Sequence, residues 1–522
     1  MSTGKDSSRS SSDETVHVEN HDAEKHQVAS IASTGNIETR ENCHYWDGYL
    51  DEEYVDKKHP KIIRNLRHMF FSAYRRLFTL TFVTNMSVFI ALTATHRAHT
   101  GNIAHAVVTN FAVSILVRQE YIINLLFDIF TALPKSAPLF FRRTSARIFH
   151  FGGLHSACSI SGTIWSILFV AMATREYVHG LSPISLATLV VAWVILALLL
   201  IILVFAYPTM RHRFHDYFEW THRFLGWTAV ALFWALIVLF SNDGRKPGEN
   251  LGHACVRNPA FWLLCAITSS IILPWLRLRK IEVRSVRLSK HASRLYLDYT
   301  PYSTGTTIKL THSPLKEWHG FAAIPEPDSG KNEFSVVVSR AGDWTSRVID
   351  NPPTKLWVRG IPTSGVLRIV PMFRRMILVA TGSGVGPCVH AIFEGHTPVR
   401  LLWTSPNVRE TFGDELVDQI LRYAPDTVIY DTRKHGRPDL VKLILKMVKE
   451  FDAEAVAIVS NQPLTEKVVY GLNSRGIPAY VYPTETMVNE VLFVTPMIRP
   501  TETSPSFRYL PRSIHLPSGN TT

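Results

Sequence analysis

Five cysteines are a sparse supply for 522 residues, and Cys43, Cys158, Cys255, Cys265 and Cys388 stand with no CxxC spacing. That excludes a disulfide framework and a cysteine metal centre. Charge is also thin, at 19% of residues, and the +12 balance does not gather on one amphipathic face. Lys and Arg cluster beside apolar runs, which fits membrane edges and argues against nucleic acid as a partner. A basic, short-hydrophobic, cleavable N-terminal signal is missing, so insertion into a bilayer would rely on internal helices. Inverted repeats and matched Gly/Pro-broken helices are missing too, which ranks a transporter last. Large apolar groups are scarce in residues 1 to about 42. Such a segment cannot offset the entropy of folding, and residues 1–56 are expected to form a disordered cytoplasmic tail.

Apolar sequence, by contrast, is plentiful. The length implies two or three units, and a bilayer core needs about 20 mostly apolar residues per helix. Six windows qualify, at roughly 77–95, 103–132, 151–173, 184–206, 224–240 and 259–276. Basic residues crowd ahead of the first window (Arg64, Arg67, Arg75, Arg76) and after the second, fourth and sixth (Arg142, Arg211, Arg277 among them). By the positive-inside rule both ends of a multi-pass bundle spanning 57–280 are then cytoplasmic. The second window holds Arg118 and Glu120, which are expected to pair with each other or with a buried polar neighbour; a helix interruption near Arg118 is the alternative.

Histidines bear on whether the bundle carries haem. His150 and His155 sit in RIFHFGGLHSACSISGTIW at the cytoplasmic start of the third window, and His222 in YFEWTHRFLGW at that of the fifth. Neutral imidazole is a good axial ligand for iron. One haem would lie between His222 and either His150 or His155, with Gly152, Gly153 and Gly226 leaving room for a flat macrocycle.

After Lys280 the pattern changes to alternation. IEVRSVRL, RLYLDYT, TTIKLTH and FSVVVSR read as strands of a small antiparallel barrel over 281–371. Within it, SRAGDWTSRVI offers Gly342 for an unusual backbone angle and Thr345 at a helix start, with Arg340 and Arg347 supplying charge for an anion. From Met376 longer units alternate strand and helix, the pattern of a parallel sheet over 372–495. MILVATGSGVGP, Met376 to Pro387, is the turn that organises this half. Ile377 to Ala380 are expected as its central strand, with Gly382, Gly384 and Gly386 keeping Cβ atoms out of a loop that approaches a pyrophosphate. A helix from about Cys388 would aim its N–H groups at that phosphate. Residues 496–522 are expected to form a loosely ordered tail.

Six helices, histidines at the inner ends of the third and fifth, and this cytoplasmic module together resemble the ferric reductase and NADPH oxidase superfamily. The likeness covers about 60–480 and is closer still to fungal membrane flavoproteins whose module also occurs fused behind adenylating enzymes. It implies a ferredoxin-reductase-like module holding FAD and NADPH. EWHGFAAI is similar to the family's His-Pro-Phe-Thr flavin segment, giving His319 and Phe321 to the flavin, although Gly320 and Ala322 depart from it. Gly342, Trp344 and Thr345 match the Gly-Asp-Trp-Thr turn at the flavin pyrophosphate. Gly382, Gly384, Gly386, Pro387, Ser405 and Arg409 fall where relatives bind NADPH, and HGRPDL marks a helix start after the third strand. Two features of the family are missing. Ser460, Asn461 and Gln462 replace its Cys-Gly-Pro, and no histidine follows His150, His155 or His222 by thirteen or fourteen positions, so an outer haem is not expected.

The resemblance implies a membrane oxidoreductase passing electrons from NADPH through FAD to one inner haem and then to a small-molecule acceptor, ferric ion or an organic substrate of secondary metabolism. Cytoplasmic enzymes are its expected partners besides the bilayer. The rival reading is a non-enzymatic membrane scaffold or sensor with a degenerate module.

Overall fold

The computed structural model describes residues 45–300, 305–326 and 333–481. The expected tail at 1–44, residues 482–495 of the nucleotide unit and the tail at 496–522 lie outside the described residues.

Five helices are long and apolar enough to cross a membrane, and a bent pair makes a sixth if it counts as one span. They comprise α1 (Ala73–Ala94), the pair α2 (Thr100–Leu116) and α3 (Glu120–Thr131), α5 (Gly152–Val178), α6 (Leu186–Ala206), α7 (Gly226–Asp243) and α8 (Pro259–Ile272); the short α4 (Leu139–Ser145) precedes α5. Ser185 shows how they start, its side chain accepting from Thr188 N ahead of an uncharged 21-residue run. Small residues bring the helices together. A Cβ on Gly153 would stand 2.5 Å from Tyr74 O of α1, so this glycine serves helix contact and not the macrocycle space expected of it. At Gly226 nothing lies within 4 Å of that position.

The window expected at 103–132 is not one straight helix. It bends by 72° at Val117–Gln119, where the Gln119 side chain accepts from Tyr121 N and caps a new helix. Arg118 and Glu120 do not pair with each other; the interruption near Arg118 forms, and Glu120 finds other polar neighbours. Glu120 accepts from Ile361 N at 3.0 Å and from Lys309 Nζ at 3.4 Å, whereas Arg118 lies over the Phe151 ring.

The half of the chain after Arg277 contains two sheets. The antiparallel, barrel-like sheet comprises β1 (Arg279–Arg287), β2 (Ala292–Asp298), β3 (Thr306–Thr311), β4 (His319–Ala322), β5 (Ile324–Pro325), β6 (Glu333–Ser339), β7 (Lys355–Val358) and β8 (Thr363–Ser364). Its order is β4-β3-β7-β1-β2-β6-β5, with β8 on β3. Inward Val283, Leu295, Leu297, Phe334, Val336 and Val338 form its core. The second sheet is parallel, in the order β11-β10-β9-β12-β13, from β9 (Met376–Thr381), β10 (Val399–Ser405), β11 (Val428–Asp431), β12 (Ala455–Val459) and β13 (Ala479–Val481). β9 is central, and β12 is buried at every position because helices cover both faces. The strand order reverses between β9 and β12, and a ligand crevice opens at such a switch point.

Residues 45–56, expected within a disordered tail, dock on the nucleotide unit instead. Tyr49 is buried in the core behind the parallel sheet, Trp46 meets Tyr430 edge-on at 4.9 Å, and Glu52 pairs with Lys446 at 2.8 Å. Four aromatic residues in twelve, Tyr45, Trp46, Tyr49 and Tyr54, supply the apolar area that the Ser-rich segment before them lacks.

The two halves are bolted together on the side of the basic connections. Arg142 of α4, 2% exposed, reaches both carboxylate oxygens of Glu454 at 2.6 and 2.9 Å and also donates to Met372 O. Lys135 donates to His396 O, and Gly360 N donates to Pro274 O.

Candidate functional site

The residues singled out by sequence fall into three places. The first lies at the start of α5 and just before α7. His155 and His222 face each other with ring centroids 6.3 Å apart, while His150 rests on Phe149. His155 Nδ1 lies 2.8 Å from Ser114 O, so this nitrogen donates to the carbonyl and Nε2 is left as the acceptor. A metal ion sits about 2 Å from an imidazole nitrogen, so two rings sharing one ion have centroids about 6 Å apart. A backbone carbonyl on the opposite nitrogen is the usual support for such a ligand. Ring centroids 6.3 Å apart would let the two imidazoles share one iron. The Arg118 charge reaches both rings, and among the described residues this guanidinium has no ion pair.

The outer half of the bundle differs. Phe169 and Leu236, fourteen positions after His155 and His222, line a cavity of about 50 Å³ together with Phe233 and Phe240. A cavity of that size holds a water molecule or two and no macrocycle.

The second place is on the barrel. The His319 and Trp344 rings stack at 4.4 Å, and Phe321 stacks on Trp344 at 5.7 Å. Trp344 is buried in the barrel core, and its Nε1 is a buried donor with no partner. It therefore backs a shelf whose half-buried front is His319 and Phe321. His319 Nε2 lies 3.3 Å from Glu317 Oε2. The turn before α9 (Asp343–Asp350) is closed by Thr345, whose Oγ1 accepts from Ala341 N and Gly342 N, both at 2.9 Å. Two expectations fail here. Gly342 has φ −162°, ordinary extended backbone that any residue adopts. Arg340 is spent on Asp350 through two bonds of 2.9 and 2.6 Å, which leaves Arg347 as the arginine without such a clamp.

The third place is the glycine turn at the switch point. Gly382 has φ +53°, a left-handed conformation that favours glycine, and Trp403 Nε1 donates to its carbonyl at 2.9 Å. A Cβ at Gly384 would stand 2.4 Å from Val459 O, so this residue is glycine because β12 passes close. Gly386 is buried, and nothing lies within 4 Å of where its Cβ would stand. The helix α10 (Val385–Glu394) begins three residues before the expected Cys388, and Pro387 occupies its first turn. Burial pushes the Cys388 thiol up to about 12, so it is no nucleophile. Ser405 is buried at the end of β10, and Thr381 Oγ1 and Ser460 Oγ lie 2.7 Å apart across the crevice. Arg409 does not reach for a phosphate. Its fork holds Asp414 and Asp418, both at 2.9 Å, and ties α11 (Val408–Phe412) to α12 (Asp414–Tyr423).

Sequence reasoning missed several residues. Trp403 and the Thr381–Ser460 pair leave no motif. His390 of α10 is another, with Nδ1 2.7 Å from Ala323 O, bridging the glycine-turn helix to the barrel. Arg223 could have been found beside His222. It donates to Leu315 O at 2.7 Å and Lys316 O at 2.9 Å, in the loop that leads to His319. HGRPDL does precede a helix start, α13 (Leu440–Phe451), capped by Asp439.

Residues 366–483 match the family model of the C-terminal domain of adenylate-forming reductase 03009. Over 456 residues, 87% of this chain, the sequence is 53% identical to adenylate-forming reductase 03009 of Coprinopsis cinerea and 52% identical to adenylate-forming reductase 06235 of the same fungus. Each alignment takes in 44% of the relative, so the chain spans under half the length of these curated proteins. Among solved structures, ferredoxin-NADP+ reductase from Plasmodium falciparum aligns with 39% of this chain and 94% of its own at 12% identity and a TM-score of 0.31. A ferredoxin NADP+ reductase from Neisseria gonorrhoeae with bound FAD and NADP aligns with 39% and 98% at 10% identity and a TM-score of 0.32.

Proposed function

We propose that this chain is a membrane-embedded NAD(P)H-dependent flavoprotein reductase, preferring NADPH, that passes electrons through FAD to one haem at the inner end of its helices. The observation that carries this reading is the His155–His222 pair, supported from behind by Ser114 and joined through Arg223 to the loop ahead of His319. The similarity to two adenylate-forming reductases supports the reductase part.

The bound groups supply hydride acceptance and one-electron release at the flavin and one-electron storage at the iron. The chain's residues bind and orient. Gly382 and Gly386 open the turn to a pyrophosphate, with Trp403 fixing its carbonyl. Ser405 sits at the edge where a ribose would lie, and the exposed Arg433 and Lys434, after the neighbouring strand β11, bring positive charge there in place of Arg409. His319 and Phe321 offer a flat face backed by Trp344. His155 and His222 would hold iron, and Arg118 would meet the acid groups that a haem carries.

The filled outer half supports an acceptor on the inner side, an organic substrate of secondary metabolism in preference to ferric ion across the membrane. A spectrum of the purified protein before and after NADPH tests the whole reading. Flavin bleaching and a shifting Soret band are expected, and protein that stays colourless after supply of flavin and haem refutes it. Ferric chelates reduced on the far face of vesicles would overturn the inner-side acceptor alone. That outcome would leave the electron path standing.

A further inference from the structure

After the 72° bend, α3 cannot continue along the axis of α2, and its side chains sort into two stripes. Glu120, Asn124 and Asp128, spaced by four, all grip the barrel. Glu120 holds Ile361 N and Lys309, Asn124 donates to Pro362 O and accepts from Ser364 N, and Asp128 pairs with Arg368 at 3.0 Å. The adjacent stripe of Tyr121, Leu125 and Ile129, at the same spacing, is 42, 53 and 58% exposed and touches no other part of the fold closely enough to be covered. A helix that is polar toward one neighbour and apolar toward nothing needs a second neighbour.

We infer that α3 lies in the membrane–water interface, with Tyr121, Leu125 and Ile129 among the lipid acyl chains nearest the headgroups and Glu120, Asn124 and Asp128 holding the barrel beneath. The occupant follows from continuity. α3 starts four residues after α2, a 17-residue apolar helix packed among the spans, and the connection that follows it exposes Phe140 and Phe141 of α4 beside Arg143, whose guanidinium lies 5.8 Å from the Phe140 ring. Aromatic and basic groups mixed with an apolar stripe are the signature of an interfacial helix. The clip fixes the depth and tilt of the barrel, and with it the position of His319 below His155 and His222. The inference rests on the membrane part of the proposed function.

Nitroxide labels on Leu125→Cys, Ile129→Cys and, as a reference within α6, Leu200→Cys test it in full-length protein in phospholipid nanodiscs, with the labelled parent chain as background for native thiols. Collision with oxygen is expected to exceed collision with a water-soluble nickel chelate several-fold at all three sites. If Leu200 reads as lipid and Leu125 and Ile129 favour the chelate, the stripe faces water and the inference is wrong while the membrane reading stands. Low collision with both reagents at an immobile label would mean a protein covers the stripe, which also overturns it. Water exposure at Leu200 would sink the membrane reading itself and this inference with it. None of these readings depends on cofactor content.

Discussion

The helical half and the two-sheet module differ in which of their singled-out polar side chains are already taken up by the protein. In the module most of the groups that sequence marks for ligand binding are already committed to the protein. Arg340 is held by Asp350, Arg409 by Asp414 and Asp418, and Thr345 by two backbone N–H groups. Many helix groups are committed in the same way, Asn110 to Asn85 and Thr188 to Asp243 among them, but two beside the histidine pair are not. Arg118 has no ion pair among the described residues, and His155 spends one nitrogen on a carbonyl and keeps the other. A half that must fold in water uses its polar groups to close its own turns. A bundle surrounded by apolar side chains has few polar partners to offer, so a polar group left without one there points to something that is not part of the chain.

The largest expected effect is where groups are least committed. His155→Ala and His222→Ala should each abolish the Soret band while flavin stays bound, and His150→Ala should retain haem at the parent stoichiometry, as read by absorption and pyridine haemochrome assay. Haem lost with His150→Ala and kept with His155→Ala would reverse the assignment and erase the contrast between the halves.

The glycine turn sharpens the contrast within the module. Gly384→Ala drives a Cβ to 2.4 Å from Val459 O, which no flexible side chain can relieve, and should cost about 1–3 kcal/mol in thermal or denaturant unfolding. Gly386→Ala has open space and should leave stability within about 0.5 kcal/mol while raising the NADPH dissociation constant several-fold, measured by titration of flavin fluorescence. Equal effects of the two changes would remove the distinction between a glycine that serves packing and one that serves a ligand.

Much of this architecture was legible in advance, and the reasons differ by element. The four barrel strands quoted from alternation and the central strand at Ile377 to Ala380 all appear, because side-chain period follows directly from which face is buried. The central place of β9 followed from a run with no polar residue, which only a strand covered on both faces tolerates. The bend at Arg118 was open, since hydropathy reports composition and not axis direction; Gln119 becomes a cap only because Glu120 and Asn124 find partners on the barrel more than two hundred residues away. The commitment of Arg409 was hidden for a similar reason. Asp414 and Asp418 read as ordinary helix residues, and spacing alone does not say whether a guanidinium turns to them or to a phosphate. Residues 45–56 were placed in a tail by averaging over a Ser-rich neighbourhood, although Tyr45, Trp46 and Tyr49 carry enough ring area to dock a short strap.

The Arg142–Glu454 clamp is where the two regimes meet, and it should respond by an intermediate amount. Arg142 is buried and Glu454 is 18% exposed, so Arg142→Ala should destabilise the docked arrangement by about 2–3 kcal/mol after allowance for that exposure. Limited proteolysis between the halves would report it. The hydrogen bond from Arg142 holds the Glu454 carboxyl below the usual carboxylate range. A depressed folded-state value gives stability that is complete above the unfolded value of about 4.3 and is lost as pH falls through the folded one. The clamp should therefore be flat with pH from 8 to 5 and weaken only in acid, and Glu454→Gln should remove that acid-dependent part.

The smallest effect is expected where commitment is greatest. Arg409→Ala should change the ratio of NADPH to NADH efficiency by less than about twofold, because its fork already holds two carboxylates and has no free face for a ribose phosphate. Some loss of stability is expected instead, about 0.5 kcal/mol, as for other partly exposed ion pairs. Arg433→Ala should lower the same ratio several-fold, since that side chain is exposed at the end of the next strand. A large shift in cofactor preference at Arg409 with none at Arg433 would mean that nucleotide binding pulls Arg409 away from Asp414 and Asp418. The module's polar groups would then be held in reserve for ligands, as those of the helices are, and the contrast between the two halves would be one of the ligand-free state alone.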